Sequence, residues 1–375
     1  MSHSARQKSG PVQSLVRACG VLKAFRGENE SLRVQDIVER TGLHKATVSR
    51  LAATLHATGF LRRSSTGRYS SAVRFVEKGK YKIGYASQTE NLEFSHEVTA
   101  SLRRAAESSG IELIALDNRF NARSAIANAE RLVKERVDLA IEFQAFDSVA
   151  PVVSAILQSA GIPVIAVDIP HPGAIYYGVN NYDAGLIAGR TLGQWARKHW
   201  DGKVDRVLMI EFASVGRLPQ LRLTGALAGI REILPQFPDS RVVRVEGHGT
   251  FRRTMMQVRR YLRVHGRLRT LVAPIIDECG LGALRAFEEG GDAENCAVVG
   301  QGAIAQARSE MRNVHTRLIG SVAFFPEKYG PALLRLAQDL LEHKTTPAAL
   351  FTEHRLITAQ NVDRFYGNDT VPVSM

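Results

Sequence analysis

Residues 31–70 read SLRVQDIVERTGLHKATVSRLAATLHATGFLRRSSTGRYS, and this stretch decides how the first part of the chain folds. Val34, Ile37 and Val38 fall on one side of a first helix. Thr41-Gly42 ends it, because glycine takes the left-handed conformation a helix terminus requires. A second helix is expected from near Leu43 to Gly59. At 100° per residue Val48, Leu51 and Leu55 gather on one side, while Ala46, Ser49, Arg50 and Ala53 point the other way. That second face is small, polar and basic, as a helix lying in a major groove requires. Phe60-Leu61-Arg62-Arg63 and Arg68-Tyr69-Ser70 flank Ser64–Gly67 like the arms of a hairpin with a basic rim. The residues expected to face nucleic acid are Lys45, Ala46, Thr47, Ser49 and Arg50 on the helix, with Arg62, Arg63 and Arg68 on the hairpin. A helical hairpin that docks on a protein partner is the competing reading.

Charge separates the two readings. The 375 residues carry a formal net charge of +12, unevenly spread. Residues 1–80 hold 15 Lys/Arg against 5 Asp/Glu, and the remaining 295 hold 34 against 32. A basic head on a nearly neutral body suits a polyanion, since phosphate neutralisation supplies much of the affinity. An anionic membrane surface would call for bulky apolar residues opposite lysines on an amphipathic helix, and the head has no such element. The start, MSHSARQKSGPVQ, has no apolar core like that of a secretory signal, and no apolar run of about 18 residues is long enough to span a bilayer. Cys19, Cys279 and Cys296 are odd in number and lack metal-ligand spacing, so no metal site is expected and a reducing cytoplasm fits. Cys19 falls on an apolar stripe with Val12, Leu15, Val16 and Leu22, which gives it an expected role in core packing.

Residues 11–70 closely resemble the DNA-binding domain of the IclR family of bacterial regulators. The resemblance rests on PVQSLVRACGVLKAF, LRVQDIVERTGLHKATVSRLAATLHATGFL and GRYS, with TGLHKATVSRL its most specific part. It implies a winged helix-turn-helix. Residues 71–80 read as a linker.

From Tyr81 the texture changes. YKIGYAS, IELIALD, VDLAIEF and IPVIAVD are apolar runs recurring about every 26 residues, with helical patterns at His96–Ser108, Ala122–Arg136 and Ser148–Ala160 between them. This alternation predicts right-handed βαβ units and a parallel sheet covered on both faces. A second set has strands at Arg206–Phe212, Arg241–Glu246, Thr270–Ala273 and Ala297–Gly300, with four helices between Tyr182 and Glu289. A strand at Leu318–Phe324, a helix at Pro326–His343 and short strands near Leu350 and Leu356 complete the body. Open α/β sheets bind ligands beyond the carboxyl ends of their strands. Those ends carry Ser87-Gln88, Asp117-Asn118, Gln144 and Asp168, polar groups that either line a cleft or serve solvation.

Residues 81–358 resemble the type I periplasmic-binding-protein fold of ribose-binding proteins and of LacI-type effector domains. IPVIAVD, YGVNNYDAGLIAG, RLTGALAGI, LVAPIIDECGLGALRAF and AVVGQG carry the resemblance. It implies two lobes with crossovers near residues 180 and 322, and a sugar-like ligand clamped between them. The positions it brings to the ligand are Gln88, Asn91, Phe94, Gln144, Asp168, Arg222, Phe251, Asp277, Gln301 and Phe324. Asp168 would accept from two hydroxyls, Arg222 would donate in a fork, and Phe94 or Phe251 would cover a ring face. Four positions depart from the sugar binders. Ile169 replaces an arginine, Ile276 an asparagine, Gln301-Gly302 lack an aspartate, and Phe324 stands for a glutamine. A plain aldose is therefore not expected. The effector domain usual in the IclR family is absent, and its small-acid ligands do not carry over.

GQGAIA at Gly300–Ala305 matches a dinucleotide pattern, but it comes late and no acid ends a following strand at the right distance. FRRTMMQVRRYLRVHGRLR from Phe251 reads as a solvated basic helix face, or else as an anion or subunit contact. No nucleophile–base pair or cofactor motif is evident. The fold expected is α/β, an N-terminal winged helix-turn-helix followed by a two-lobed type I periplasmic-binding-protein-like body with parallel sheets. The expected function is that of a cytoplasmic, non-enzymatic transcription regulator without cofactor. It would bind double-stranded operator DNA as a homodimer and sense a small sugar-like or polar effector. A transporter solute-binding component is the alternative.

Overall fold

The computed structural model describes residues 12–25, 30–72 and 81–369. The chain divides into two compact units, Met1–Lys78 and Gly79–Met375. The expected linker lies, from residue 73 onward, outside the described residues.

In the first unit α1 (Gln13–Lys23) precedes a short strand β1 (Ser31–Leu32), then α2 (Val34–Thr41), α3 (Lys45–Ala57), β2 (Leu61–Arg63) and β3 (Tyr69–Ser71). Gly42 closes α2 at φ 66°, its N–H donating to the Val38 carbonyl. The three strands form one antiparallel sheet in the order β1-β3-β2. Ile37, Val48, Ala52, Leu55, Leu61 and Tyr69 pack into a single core with Val21 and Leu22. β1 was not anticipated, because two residues are too few for an alternating pattern. The expectation for Cys19 is corrected: it is exposed, as are Val12, Leu15 and Val16. α1 buries Val21 and Leu22, with Ala18 packed beside them, so only Leu22 belongs to both the apolar stripe and the core face.

The second unit has two sheets. The first lobe contains β4 (Lys82–Ser87), α4 (Glu93–Ser109), β5 (Glu112–Asp117), α5 (Ala122–Lys134), β6 (Leu139–Glu142), α6 (Ala150–Ser159), β7 (Val164–Val167) and β8 (Ile175–Gly178). The chain then crosses into α7 (Asn181–Trp200), β9 (Arg206–Glu211), α8 (Arg217–Ile233), β10 (Val242–Glu246), α9 (Phe251–His265), β11 (Thr270–Pro274), α10 (Asp277–Glu289), β12 (Cys296–Gly302), α11 (Ala305–Met311) and β13 (Leu318–Ala323). It returns as α12 (Tyr329–Leu341) and β14 (Ala349–Phe351), and crosses a third time into β15 (Arg355–Ile357) and α13 (Val362–Tyr366). The sheet orders are β14-β8-β7-β6-β4-β5 and β10-β9-β11-β12-β13-β15. Every pairing is parallel except that of β15 with β13. Burial on both faces accounts for the continuous apolar runs of the strands.

α7 and α8 touch backbone to backbone. A Cβ at Gly185 would lie 2.0 Å from the Arg222 carbonyl oxygen, and one at Gly225 would lie 2.1 Å from that of Tyr182. Gly189 meets Ala226 and Gly229 meets Leu186 in the same way. This contact explains the glycines in YGVNNYDAGLIAG and RLTGALAGI, since no side chain fits between the helices.

One acid stands inside an apolar strand. Glu142 ends β6 fully buried, and neither of its carboxyl oxygens has a hydrogen-bond partner. Burial pushes its carboxyl up to about 8 from 4.5. A raised folded-state value means stability present below about pH 4.5 and lost as pH rises through 8. Thermal melts from pH 5 to 9 should therefore show Glu142→Gln gaining on the unsubstituted protein as pH rises, by up to about 1.4 kcal/mol per pH unit. Parallel profiles would remove Glu142 as the source.

Candidate functional site

Two surfaces carry the residues singled out above. On the first unit, α3 turns Val48, Ala52 and Leu55 inward and leaves Lys45, Ala46, Ser49 and Arg50 exposed, with Thr47 half-buried. The His44 side chain caps the helix by accepting from the Ala46 N–H, which fixes where the exposed face begins. Arg62 and Arg63 are exposed on β2, and the Arg63 guanidinium lies 5.5 Å from the centre of the Tyr69 ring. Arg68 differs from expectation. Its Nε and Nη2 donate to the Ser31 carbonyl at 3.1 and 2.6 Å, tying the hairpin to β1, so its guanidinium is committed within the fold.

The second surface is the cleft between the lobes, which encloses a cavity of about 110 Å³. Gln88, Phe94, Asp168, Arg222, Gln301 and Phe324 line it. Asn91, Gln144, Phe251 and Asp277 do not. Asn91 is exposed, and Phe251 begins α9 and is 40% exposed. Gln144 is buried with its amide spent on its own loop, accepting from the Phe146 N–H and donating to the Phe146 carbonyl. Asp277 accepts from the Ser321 hydroxyl at 2.7 Å and from the Ile304 N–H at 2.9 Å, so it braces the β12–α11 loop. A Cβ at Gly300 would lie 1.9 Å from Asp277 Oδ1, which is why glycine stands there in the decoy GQGAIA.

Asp168 sits just past β7 with φ 59°, a left-handed turn that aspartate tolerates. Its Oδ1 accepts from the Val179 N–H at 3.1 Å. Burial pushes its carboxyl up to about 6, while Arg222 and the Val179 N–H pull it back. Arg222, on α8, is held inside its own lobe. Nε donates to Asn181 Oδ1 at 2.7 Å and Nη1 to the Ile275 carbonyl at 3.0 Å, and the guanidinium lies 4.9 Å over the Phe324 ring. Asp168 is the charge that most offsets its burial, although no direct ion pair joins the two groups. Phe94 makes edge contacts with Phe143, Phe324 and Tyr329 at the base of the cavity.

Residue patterning missed Phe120, Phe143, Phe212 and Glu278, which also line the cavity. The first three follow strands, so the rule that found Gln88 and Asp168 would have found them had it not favoured polar residues. Glu278 is pushed up to about 7 by burial, beside the like charges of Asp277 and Glu93. The cleft is closed by contacts between the lobes. Glu93 Oε1 accepts from the Ala305 N–H at 2.5 Å, Asp147 Oδ2 accepts from the Arg217 N–H at 3.0 Å, and Phe120 stacks on Phe212 at 6.0 Å. Each carboxylate thus caps a helix of the opposite lobe, where the dipole favours negative charge.

Residues 83–345 match the model of the periplasmic binding protein domain, well over half of the chain. The chain belongs to the periplasmic binding protein domain family. Residues 14–65 match the IclR helix-turn-helix domain. The family body is similar to an ABC transporter periplasmic solute-binding protein from Actinobacillus succinogenes 130z with bound D-allose, at TM-score 0.65 and 17% identity over 76% of this chain and 100% of that one. It is also similar to a solute-binding protein from Bacillus halodurans C-125 with bound myo-inositol, at TM-score 0.67 and 18% identity over 78% and 99%. The helix-turn-helix part is 31% identical over 74 residues to the HTH-type transcriptional regulator XynR of Escherichia coli (strain K12). That alignment spans 20% of this chain and 29% of the relative.

Arg222 and Asp168 should respond oppositely to removal. Arg222→Ala leaves Asn181 Oδ1 and the Ile275 carbonyl without their donor, and is expected to lower stability by about 2–4 kcal/mol at pH 7. Asp168→Asn keeps an acceptor for Val179 and removes a charge whose folded-state value is raised, so it should melt no lower than the unsubstituted protein at pH 7. Calorimetric melts of both variants check this, and equal losses would contradict it.

Proposed function

We propose that this chain is a ligand-responsive, DNA-binding transcription regulator. Its helix-turn-helix unit would bind operator DNA, and its periplasmic-binding-protein body would sense a small metabolite in the interlobe cleft. The observation that carries the reading is the union in one chain of an IclR helix-turn-helix domain with a family body whose closed cleft holds a buried acid and a buried arginine. Lys45, Ser49, Arg50, Arg62 and Arg63 form the exposed basic and polar face that would meet DNA.

A solute-binding component of a transporter shares the body fold, as the solved relatives illustrate. It has no use for a basic helix-turn-helix. Both matched families are of binding rather than catalytic domains. Among the described residues no group of three or more His, Cys, Asp or Glu is placed to hold a metal ion, and no helix is long and apolar enough to cross a membrane. The DNA-binding role would place the protein in the cytoplasm. A homodimer would match a two-fold symmetric operator, and the exposed Val12, Leu15 and Val16 at the start of α1 would offer it an apolar contact.

Arg50 tests the DNA face. Arg50→Ala should leave the melting temperature unchanged, since the side chain is exposed and outside the core. It should weaken binding to the DNA upstream of the protein's own gene by about 1–3 kcal/mol if it reads a base. A uniform loss across sequences with a shallower salt slope would assign it to phosphate. Unchanged binding to every DNA would contradict the role.

A further inference from the structure

The four positions at which the sequence departs from sugar binders all line the cavity: Ile169, Ile276, Phe324 and the Gln301-Gly302 pair. Where a sugar binder presents polar groups, this chain therefore presents two isoleucines and a phenylalanine. Phe324 covers the face of the Arg222 guanidinium instead of donating to a ligand. Two of the polar groups that remain share one anchor. Arg222 binds Asn181 and Gln301 Nε2 donates to the Ala184 carbonyl, both in the first turn of α7. Gln301 is 3% exposed and its Oε1 has no partner. Asp168 uses Oδ1 for the Val179 N–H, and Arg222 uses only Nε and Nη1 within the protein. Asp168, Arg222 and Gln301 thus form a cluster of acceptors and a guanidinium donor in a cavity whose other walls are mainly apolar, with Gln88, Ser95 and Glu278 as their polar members.

We propose that the ligand of this cleft is a small neutral molecule with a hydrocarbon body and a single hydroxylated edge, the edge held by Asp168, Arg222 and Gln301. A pair of neighbouring hydroxyls satisfies that cluster, donating to Asp168 and to Gln301 Oε1 and accepting from Arg222. A cavity of about 110 Å³ suits a compact monocycle. Additional hydroxyls on the body would lie against Ile169, Ile276 and Phe324, where they lose water and gain no partner. A ligand charge of either sign is disfavoured, because Asp168 and Arg222 already offset one another and a further charge would be desolvated against Ile169 and Ile276. This inference rests on the ligand-sensing reading and narrows it to a chemical class.

Calorimetric titration of the full chain with cis-1,2-cyclohexanediol, myo-inositol, cyclohexanecarboxylate and cyclohexylamine tests it. The diol should bind at least about ten-fold more tightly than myo-inositol, because each unpaired buried hydroxyl costs about that factor, and than either charged compound, because an unpaired buried charge costs more. Ile276→Asn with Phe324→Gln, checked for folding by circular dichroism, should move the preference toward myo-inositol by about ten-fold. Tighter binding of myo-inositol or of a charged compound to the unsubstituted protein, or no binding of the diol at millimolar concentration, would overturn the class. DNA binding separates this from the broader reading. A diol that binds without altering the affinity for upstream DNA leaves the class standing and removes the regulator. Myo-inositol that binds more tightly and alters that affinity does the reverse.

Discussion

The cleft depends on the close approach of α7 and α8. Gly185 and Gly189 on one helix and Gly225 and Gly229 on the other let the two backbones touch, and the Arg222 carbonyl is itself part of that contact. With the backbone of α8 fixed there, the Arg222 side chain reaches Asn181 at the start of α7 and the Ile275 carbonyl past β11. Gln301 docks on the same turn of α7. A larger residue at any of the four glycines would push the helices apart and move the arginine away from Asp168. The signature glycines are thus site residues at one remove, although none lines the cavity.

Much of this was legible in the sequence, for identifiable reasons. Continuous apolar runs mark strands buried on both faces, and Gly42 marks the helix-turn-helix bend through its left-handed backbone. The exposed face of α3 followed from helical periodicity because its buried side is strictly apolar. What stayed hidden depends on which way a side chain turns at a strand end or loop. Gln144 and Asp277 have the chemistry of ligand contacts, yet their polar atoms satisfy the chain's own loop, helix and strand. Arg68 resembles a DNA contact until β1 appears as its partner. Cys19 was misplaced because α1 has apolar residues on more than one side, and periodicity alone did not say which side faces the core. Phe120 and Phe212 were missed because a loop phenylalanine carries no sign of the opposite lobe on which it stacks.

The closed cleft concentrates groups that are costly to hold. Asp168, Asp277 and Glu278 are all pushed upward by burial, and Arg222 is pushed downward. A ligand that hydrogen-bonds Asp168 and Arg222 relieves part of that cost in the closed form alone, and so favours closure. Glu93 and Asp147 hold the lobes together through helix-capping bonds that need no ligand. Ligand contacts at the centre would add to these caps at the rim, and a ligand that binds only the closed form would shift the lobes toward it.

The rim caps test, without knowledge of the ligand, whether cleft closure and DNA binding are coupled in one chain. A Glu93→Ala, Asp147→Ala double variant should open the cleft, visible as a larger radius of gyration in small-angle X-ray scattering. If the units are coupled, its affinity for upstream DNA, measured by fluorescence anisotropy without added ligand, should differ from that of the unsubstituted protein by at least about five-fold. An opened cleft with an unchanged DNA isotherm would contradict the coupling.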